Sequence, residues 1–138
     1  MFIKKDDAID IKIFYREKNH KYNAYSQEEF NKLELSNDEK LKYKELNLKM
    51  KPLSWGMQND LNESAMVYES DGEKRFSYKA FKETKLQRLI TSWDAIDSGG
   101  RNIPPSKDAL CSLSPIIAET IILAYDSEED MDEEEEKN

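Results

Sequence analysis

The stretch Ser77–Asp97, SYKAFKETKLQRLITSWDAID, has the strongest helical pattern in the chain, and the other segments are interpreted around it. At about 100° per residue, its apolar residues fall on one side of a helix. These residues are Tyr78, Phe81, Leu86, Leu89, Ile90, Trp93 and Ile96. The run Ser98-Gly99-Gly100 is predicted to end the helix, because glycine readily adopts the left-handed conformation found there. A stripe this wide needs cover, so we expect four of its residues to be core anchors: Phe81, Leu86, Leu89 and Trp93.

The N-terminal part of the chain is predicted to form a small β-hairpin over about residues 8–25. The isoleucines of this part alternate with polar residues, which is the period of a half-buried strand. Two tyrosines after a polar turn, Tyr22 and Tyr25, are typical of a returning strand.

Two serine-capped helices are predicted after the hairpin. Ser26 and Ser36 each precede an acidic capping sequence, so we expect helices over about residues 27–33 and 37–46. The alternation of apolar and polar residues at the end of the second segment leaves a short strand to Met50 open.

A third helix is predicted over about residues 55–69. Ser54 is suited to cap it, and Trp55 is expected to be a further core anchor. The turn signal Ser70-Asp71-Gly72 ends it. Because only a short loop then separates it from the helix in Ser77–Asp97, the two are expected to pack as an antiparallel pair.

The last apolar segment is predicted to be a helix from Pro115 to Tyr125. Proline suits the first helical position, where a missing N–H costs nothing. The helix is apolar on nearly all sides, which is more than one side of a small domain can bury. We therefore predict that part of it binds another protein or a second copy of the chain, through Ile116, Ile117, Ile121, Ile122 and Leu123. The alternative left open is that flanking segments cover the helix completely.

The net charge of −8 is concentrated at the C-terminus. Nine of the 29 acidic residues lie between Asp126 and Glu136, so residues 1–125 contain 20 acidic and 20 basic residues. A neutral body has no broad basic surface, so nucleic acid is not an expected partner. No apolar segment is long enough to cross a membrane, so no membrane association is expected.

No catalytic, cofactor or metal site is predicted. His20 is the only histidine and sits in a predicted turn, and Cys111 is the only cysteine and is expected to be a small buried hydrophobe. Asp94 and Asp97 resemble a carboxylate pair, but bonds to Arg101 or to loop amides are the simpler interpretation. The sequence therefore predicts a non-enzymatic protein with no small-molecule substrate.

These elements predict an α+β fold that is mostly α. A single globular domain is expected over residues 1–125, with the hairpin at about 8–25 and a compact helical body at about 27–125. Residues 126–138 are predicted to be a disordered acidic tail, because they have no apolar periodicity and repel one another.

Two segments together resemble small tail proteins of bacteriophages. Leu48–Gly56, LKMKPLSWG, is similar to a basic–Pro–Leu–Thr/Ser–Trp–Gly opening in small phage tail-assembly proteins. Leu89–Asp94, Ile103-Pro104 and Leu110–Ala118 resemble a phage pattern in which a helix ending in Trp-Asp leads through a glycine turn and Ile-Pro to a Leu–Pro–x–Ile–Ala helix. Tail-assembly chaperones of long-tailed phages are the family with which this pattern is associated.

The resemblance implies a helper protein of the host cytoplasm that binds tape-measure or tail-tube proteins during tail assembly. One alternative is a small virion structural protein of the tail, baseplate or connector. A weaker alternative is an acidic inhibitor that mimics DNA, which the neutral body disfavours because a mimic needs ordered charge on a rigid surface.

Overall fold

The centre of the fold is a four-stranded antiparallel sheet. A computed structural model describes residues 1–4 and 6–137, with side chains through residue 129. The sheet contains β1 (Ile9–Lys18), β2 (Lys21–Ser26), β3 (Lys44–Met50) and a late strand, β6 (Ile90–Trp93), in the order β2-β1-β3-β6. A separate two-stranded ribbon is formed by β4 (Met66–Tyr68) and β5 (Lys74–Phe76).

Six helices accompany the strands in the described part of the chain. They are α1 (Gln27–Lys32), α2 (Asn37–Lys40), α3 (Trp55–Ser64), α4 (Tyr78–Leu89), α5 (Lys107–Cys111) and α6 (Pro115–Lys137). The first five begin after a serine whose hydroxyl accepts a hydrogen bond from the backbone N–H three residues later. The predicted caps Ser26, Ser36 and Ser54 are therefore confirmed.

The core lies between one face of the sheet and α6, which crosses β1 and β2. Alternate residues of the strands point to this face, as the pleat of a strand requires. The largest fully buried side chains are Ile13, Met50, Leu61, Leu89, Ile121 and Tyr125, and all of them except Leu61 belong to this core. Burying one such side chain contributes roughly 1.5–3 kcal/mol.

The other face of the sheet has a smaller aromatic cluster at one end. Phe14 stacks on Phe30 of α1 with ring centroids 4.1 Å apart, and Tyr43 meets Phe30 edge-on at 5.1 Å. Arg16 on the same face pairs with Glu39 of α2 at 3.2 Å. The short helices α1 and α2 therefore lie on the opposite side of the sheet from α6.

The predicted fold class, α+β and mostly α, is wrong because it underestimates the strand content. The protein is 41% helix and 27% strand, and the predicted hairpin is half of a four-stranded sheet. The predicted second helix ends at Lys40, and the alternating residues after it form β3, which pairs with β1 along its whole length. The local pattern of this segment fits both helix and strand. Pairing with β1, which is distant in sequence, therefore determines that it is a strand.

The stretch Ser77–Asp97 is also not one helix. Helix α4 ends at Leu89, and Ile90–Trp93 turns into a strand in which Ile90 pairs with Met50 and Trp93 with Leu48. The β-branched Ile90 and Thr91 suit a strand, and they cover the edge that β3 would otherwise expose.

The helix predicted over residues 55–69 is too long. Helix α3 ends at Ser64, and the ribbon β4–β5 takes up the end of the predicted helix together with the predicted short loop before α4. This ribbon was not predicted from the sequence. Its signal was Asp71-Gly72 between two short runs of alternating residues, a common hairpin pattern. Gly72 has φ +84° in this turn.

Of the predicted core anchors, Trp55 is wrong. It is 83% exposed at the first position of α3, while Leu61 and Ala65 provide the buried side of that helix. Leu86 and Leu89 lie in the core. Phe81 is half-buried. Trp93 is also half-buried and donates its indole N–H to the carbonyl of Ile103.

The end predicted for the last helix, Tyr125, is wrong as well. The helix continues to Lys137, so the predicted start of a disordered tail at Asp126 falls inside α6. Two acidic side chains of this continuation, Asp126 and Glu129, bond to the body. Asn138, the last residue of the predicted tail, lies outside the described residues.

Candidate protein-interaction surface

The two sides of α6 differ in what covers them. Ile117, Ile121 and Ile122 are buried against the sheet and the neighbouring helices, so these three predicted binding residues belong to the core. Ile116 and Leu123 point outward and are 46% and 62% exposed. The structure therefore leaves two of the five predicted residues available to a partner.

Ile116 and Leu123 form an outward apolar strip on α6. They are seven residues apart, which places them two helical turns apart on one face. Thr120 lies between them and is half-buried, with its hydroxyl bonded to the Ile116 carbonyl at 2.6 Å. The strip has a fixed backbone position because the opposite side of the same helix is the protein core.

An apolar groove of about 360 Å³ runs beside this strip, between α4, α5 and α6. Its apolar lining includes Leu86, Leu110, Leu113, Pro115, Ala118 and Ile122. Lys82 and Glu119, which are paired with each other, lie at its polar margin. Cys111 also lines it and is exposed, which corrects the prediction that this cysteine is buried.

Salt bridges and hydrogen bonds hold α6 to the rest of the protein along its length. Lys85 Nζ lies 2.6 Å from Asp126 Oδ1, and Glu129 Oε1 accepts a hydrogen bond from the Leu53 N–H at 3.0 Å. The Tyr125 hydroxyl lies 2.8 Å from the Lys51 carbonyl and 2.9 Å from Glu129 Oε1. Asp126 and Glu129 lie beyond the predicted helix end, so the acidic continuation has a structural role up to Glu129.

Lys85 is a buried cation within this set of contacts. It is 7% exposed, and its ammonium group lies 5.6 Å and 5.4 Å from the ring centroids of Phe81 and Tyr125. A buried charge is tolerated only when it is paired. Asp126 supplies the pairing carboxylate, and the two aromatic rings add cation–π attraction.

Burial raises the pKa of the Tyr125 phenol above its usual range, and the carboxylates of Glu129 and Asp126 raise it further. A raised folded-state pKa means that the folded protein favours the neutral phenol. Below about pH 10 the tyrosine is neutral in the unfolded protein too, so the neutral phenol makes its full contribution to the free energy of unfolding. This contribution is lost as the pH rises beyond that value.

We therefore expect the free energy of unfolding to fall as the pH increases above about 10. Tyr125→Phe should flatten this fall, because phenylalanine has no proton to lose. Part of the slope should persist, since burial also raises the pKa of Tyr15. Urea denaturation of both proteins between pH 8 and pH 11 provides the measurement. Equal slopes for the two proteins would contradict the expectation.

The residues considered for catalysis or metal binding have other surroundings. His20 is exposed in the β1–β2 turn with φ of 63°. Asp94 accepts hydrogen bonds from the backbone and side-chain nitrogens of Asn47, and Asp97 accepts them from the N–H groups of Gly99 and Arg101. Among the described residues, no three His, Cys, Asp or Glu side chains are grouped so that they could hold a metal ion.

Comparison of the chain with protein-family models, with curated protein sequences and with solved structures finds no match. In the part of the chain that the structure describes, no helix has both the length and the apolar character needed to cross a membrane. The outward apolar strip on α6 and the groove beside it are the surfaces from which a function is proposed.

Proposed function

We propose that this protein is a non-enzymatic assembly factor that binds other proteins, and specifically a tail-assembly chaperone of a bacteriophage. In this role it binds a tape-measure or tail-tube protein in the host cytoplasm. The resemblance of Leu48–Gly56, and of the separate motifs Leu89–Asp94, Ile103-Pro104 and Pro115 with Ile117-Ala118, to phage tail-assembly proteins supports the phage assignment. The outward apolar strip on α6 supports the binding of a protein.

The observation that carries the proposal is the exposure of Ile116 and Leu123 on a helix whose opposite side is buried in the core. An amphipathic partner helix presents apolar residues every three or four positions, so it can lie along two apolar residues that are two turns apart. The adjacent groove between α4 and α6 offers further apolar contact. Burial of exposed side chains of this kind provides the free energy of association.

The proposal predicts that an aspartate on the strip abolishes partner binding and leaves the protein folded. Leu123→Asp and Ile116→Asp should each weaken binding to the tape-measure or tail-tube protein of the same phage by roughly thirtyfold or more, as expected for loss of a central apolar contact. Leu41→Asp is the matched control, because Leu41 is an exposed leucine next to α2, on the opposite side of the sheet. Binding is measured by co-expression and by titration of the purified proteins.

Two results would contradict the proposal. The first is that neither phage protein binds the wild-type chain. The second is that Leu123→Asp and Ile116→Asp both bind as well as the wild type and the Leu41→Asp control. Purified phage particles distinguish the chaperone from the structural alternative, because a chaperone leaves the assembly whereas a virion component remains in stoichiometric amount.

A further inference from the structure

The ribbon β4–β5 stands apart from the main sheet and is uncovered. All six of its strand residues are exposed, and neither of its edges pairs with another strand in the described part of the chain. A two-stranded ribbon alone is marginally stable in water. An unpaired strand edge is also a template for a further strand.

The hydrogen bonds of the ribbon determine which backbone groups face outward. The Ser77 N–H donates to the Ala65 carbonyl at 2.7 Å, and the Glu69 N–H donates to the Glu73 carbonyl at 2.9 Å. Hydrogen-bonded pairs alternate along an antiparallel ribbon, so the groups of Met66 and Tyr68 point away from β5. The β4 edge therefore presents two N–H groups and two carbonyls to a partner strand.

The two edges of the ribbon differ in charge. Strand β5 contains Lys74 and Arg75, whereas β4 is Met-Val-Tyr and has no charged side chain. Pairing of two β5 edges about Arg75 would place two guanidinium groups opposite each other, which is destabilising. Charged residues are a common protection of an edge strand, and β4 lacks them.

We propose that β4 pairs antiparallel with β4 of a second copy of this chain, about a two-fold axis at Val67. In this register Met66 lies opposite Tyr68 of the other copy, so all four outward backbone groups of each strand are hydrogen-bonded across the axis. A register centred on Met66 would instead place Tyr68 opposite Ser64, which lies in α3. The register centred on Val67 is the one that uses the strand completely.

The side chains suit the same arrangement. Met66, Tyr68 and Phe76 share one face of the ribbon, so the two copies would join their apolar residues into one continuous strip. Phe76 continues this strip toward Phe81, at 5.6 Å between ring centroids. On the other face, Val67 would meet Val67 of the second copy. The interface is short, so the association is expected to be weak.

A disulfide between copies tests this register directly. Residues at a non-hydrogen-bonded antiparallel position have Cα atoms about 4.5 Å apart, within the range that a disulfide spans. Val67→Cys, in a chain where Cys111→Ser removes the exposed native thiol, should therefore form a covalent dimer in a glutathione redox buffer. Met66→Cys is the control, because Met66 is 37% exposed and Val67 is 39% exposed.

In the proposed register, two copies of residue 66 are displaced by two positions along the strands, which puts their Cα atoms beyond the roughly 7 Å limit for a disulfide. Val67→Cys should therefore cross-link at least tenfold faster than Met66→Cys, as measured on non-reducing gels. Equal rates, faster cross-linking of Met66→Cys, or no covalent dimer from either variant would overturn the proposal. A ribbon that takes a strand of a different protein would give the last result.

Discussion

Tyr125→Ala is expected to lower the free energy of unfolding by about 3–5 kcal/mol, the usual cost of truncating a fully buried aromatic residue. The Tyr125 side chain has no exposed surface and lies in the core between α6 and the sheet. Its ring also faces the Lys85 ammonium group, and its hydroxyl bonds to the Lys51 carbonyl. The variant therefore loses apolar packing and polar contacts together. Chemical denaturation monitored by circular dichroism measures the loss.

Tyr125→Phe separates these contributions. It keeps the ring and removes the hydroxyl, so we expect a smaller loss of about 1–3 kcal/mol from the unsatisfied Lys51 carbonyl. A loss below about 1 kcal/mol for Tyr125→Ala would show that α6 does not pack on the sheet as described, because no buried tyrosine in a close-packed core is removed so cheaply.

Asp126→Ala is expected to cost about 1–3 kcal/mol, because it leaves the buried Lys85 ammonium group without its carboxylate. Removing one partner of a fully buried ion pair costs about 3–5 kcal/mol. The smaller value applies here because the Asp126 side chain is half-exposed, and water partly screens the pair. The change in thermal midpoint and in the free energy of unfolding gives the measurement.

Lys85→Met provides the informative comparison. Methionine can occupy the space between the Phe81 and Tyr125 rings without a charge, so this variant should be close to neutral, within about 1 kcal/mol. The double variant should resemble Lys85→Met, because Asp126→Ala then leaves no buried charge unpaired. An equal loss for Asp126→Ala in the presence and absence of Lys85 would contradict this role of the pair.

Several features of the fold follow from local sequence and could be predicted from it. Serine followed by an acidic residue near the third helical position satisfies the first free N–H groups of a helix wherever it occurs, so the caps at Ser26 and Ser36 needed no tertiary information. The alternation at Ile9, Ile11 and Ile13 likewise predicted a strand with one buried face. Proline at position 115 marked the start of α6.

The main errors concern segments whose local pattern suits more than one structure. The apolar Ile90 and Trp93 satisfy a helical period, and in the strand they reach one face only because the pairing with β3 shifts register between Lys49 and Met50. The open edge of β3 therefore decided the structure of this segment. Residues 44–50 became a strand because β1 lies beside them and pairs with them throughout. Strand pairing depends on residues far apart in sequence, so periodicity within one segment does not determine it.

In the candidate surface, too, some features follow from the local sequence and others depend on tertiary packing. The periodicity of residues 115–125 already shows that α6 has more apolar residues than one side of a small domain can bury. Which of these residues are buried depended on the fold, since the sheet and the neighbouring helices cover Ile117, Ile121 and Ile122 and leave Ile116 and Leu123 outside. The same holds for Trp55: its size favoured the core, but its position at the first turn of α3 directs it into solvent while Leu61 and Ala65 take the buried side.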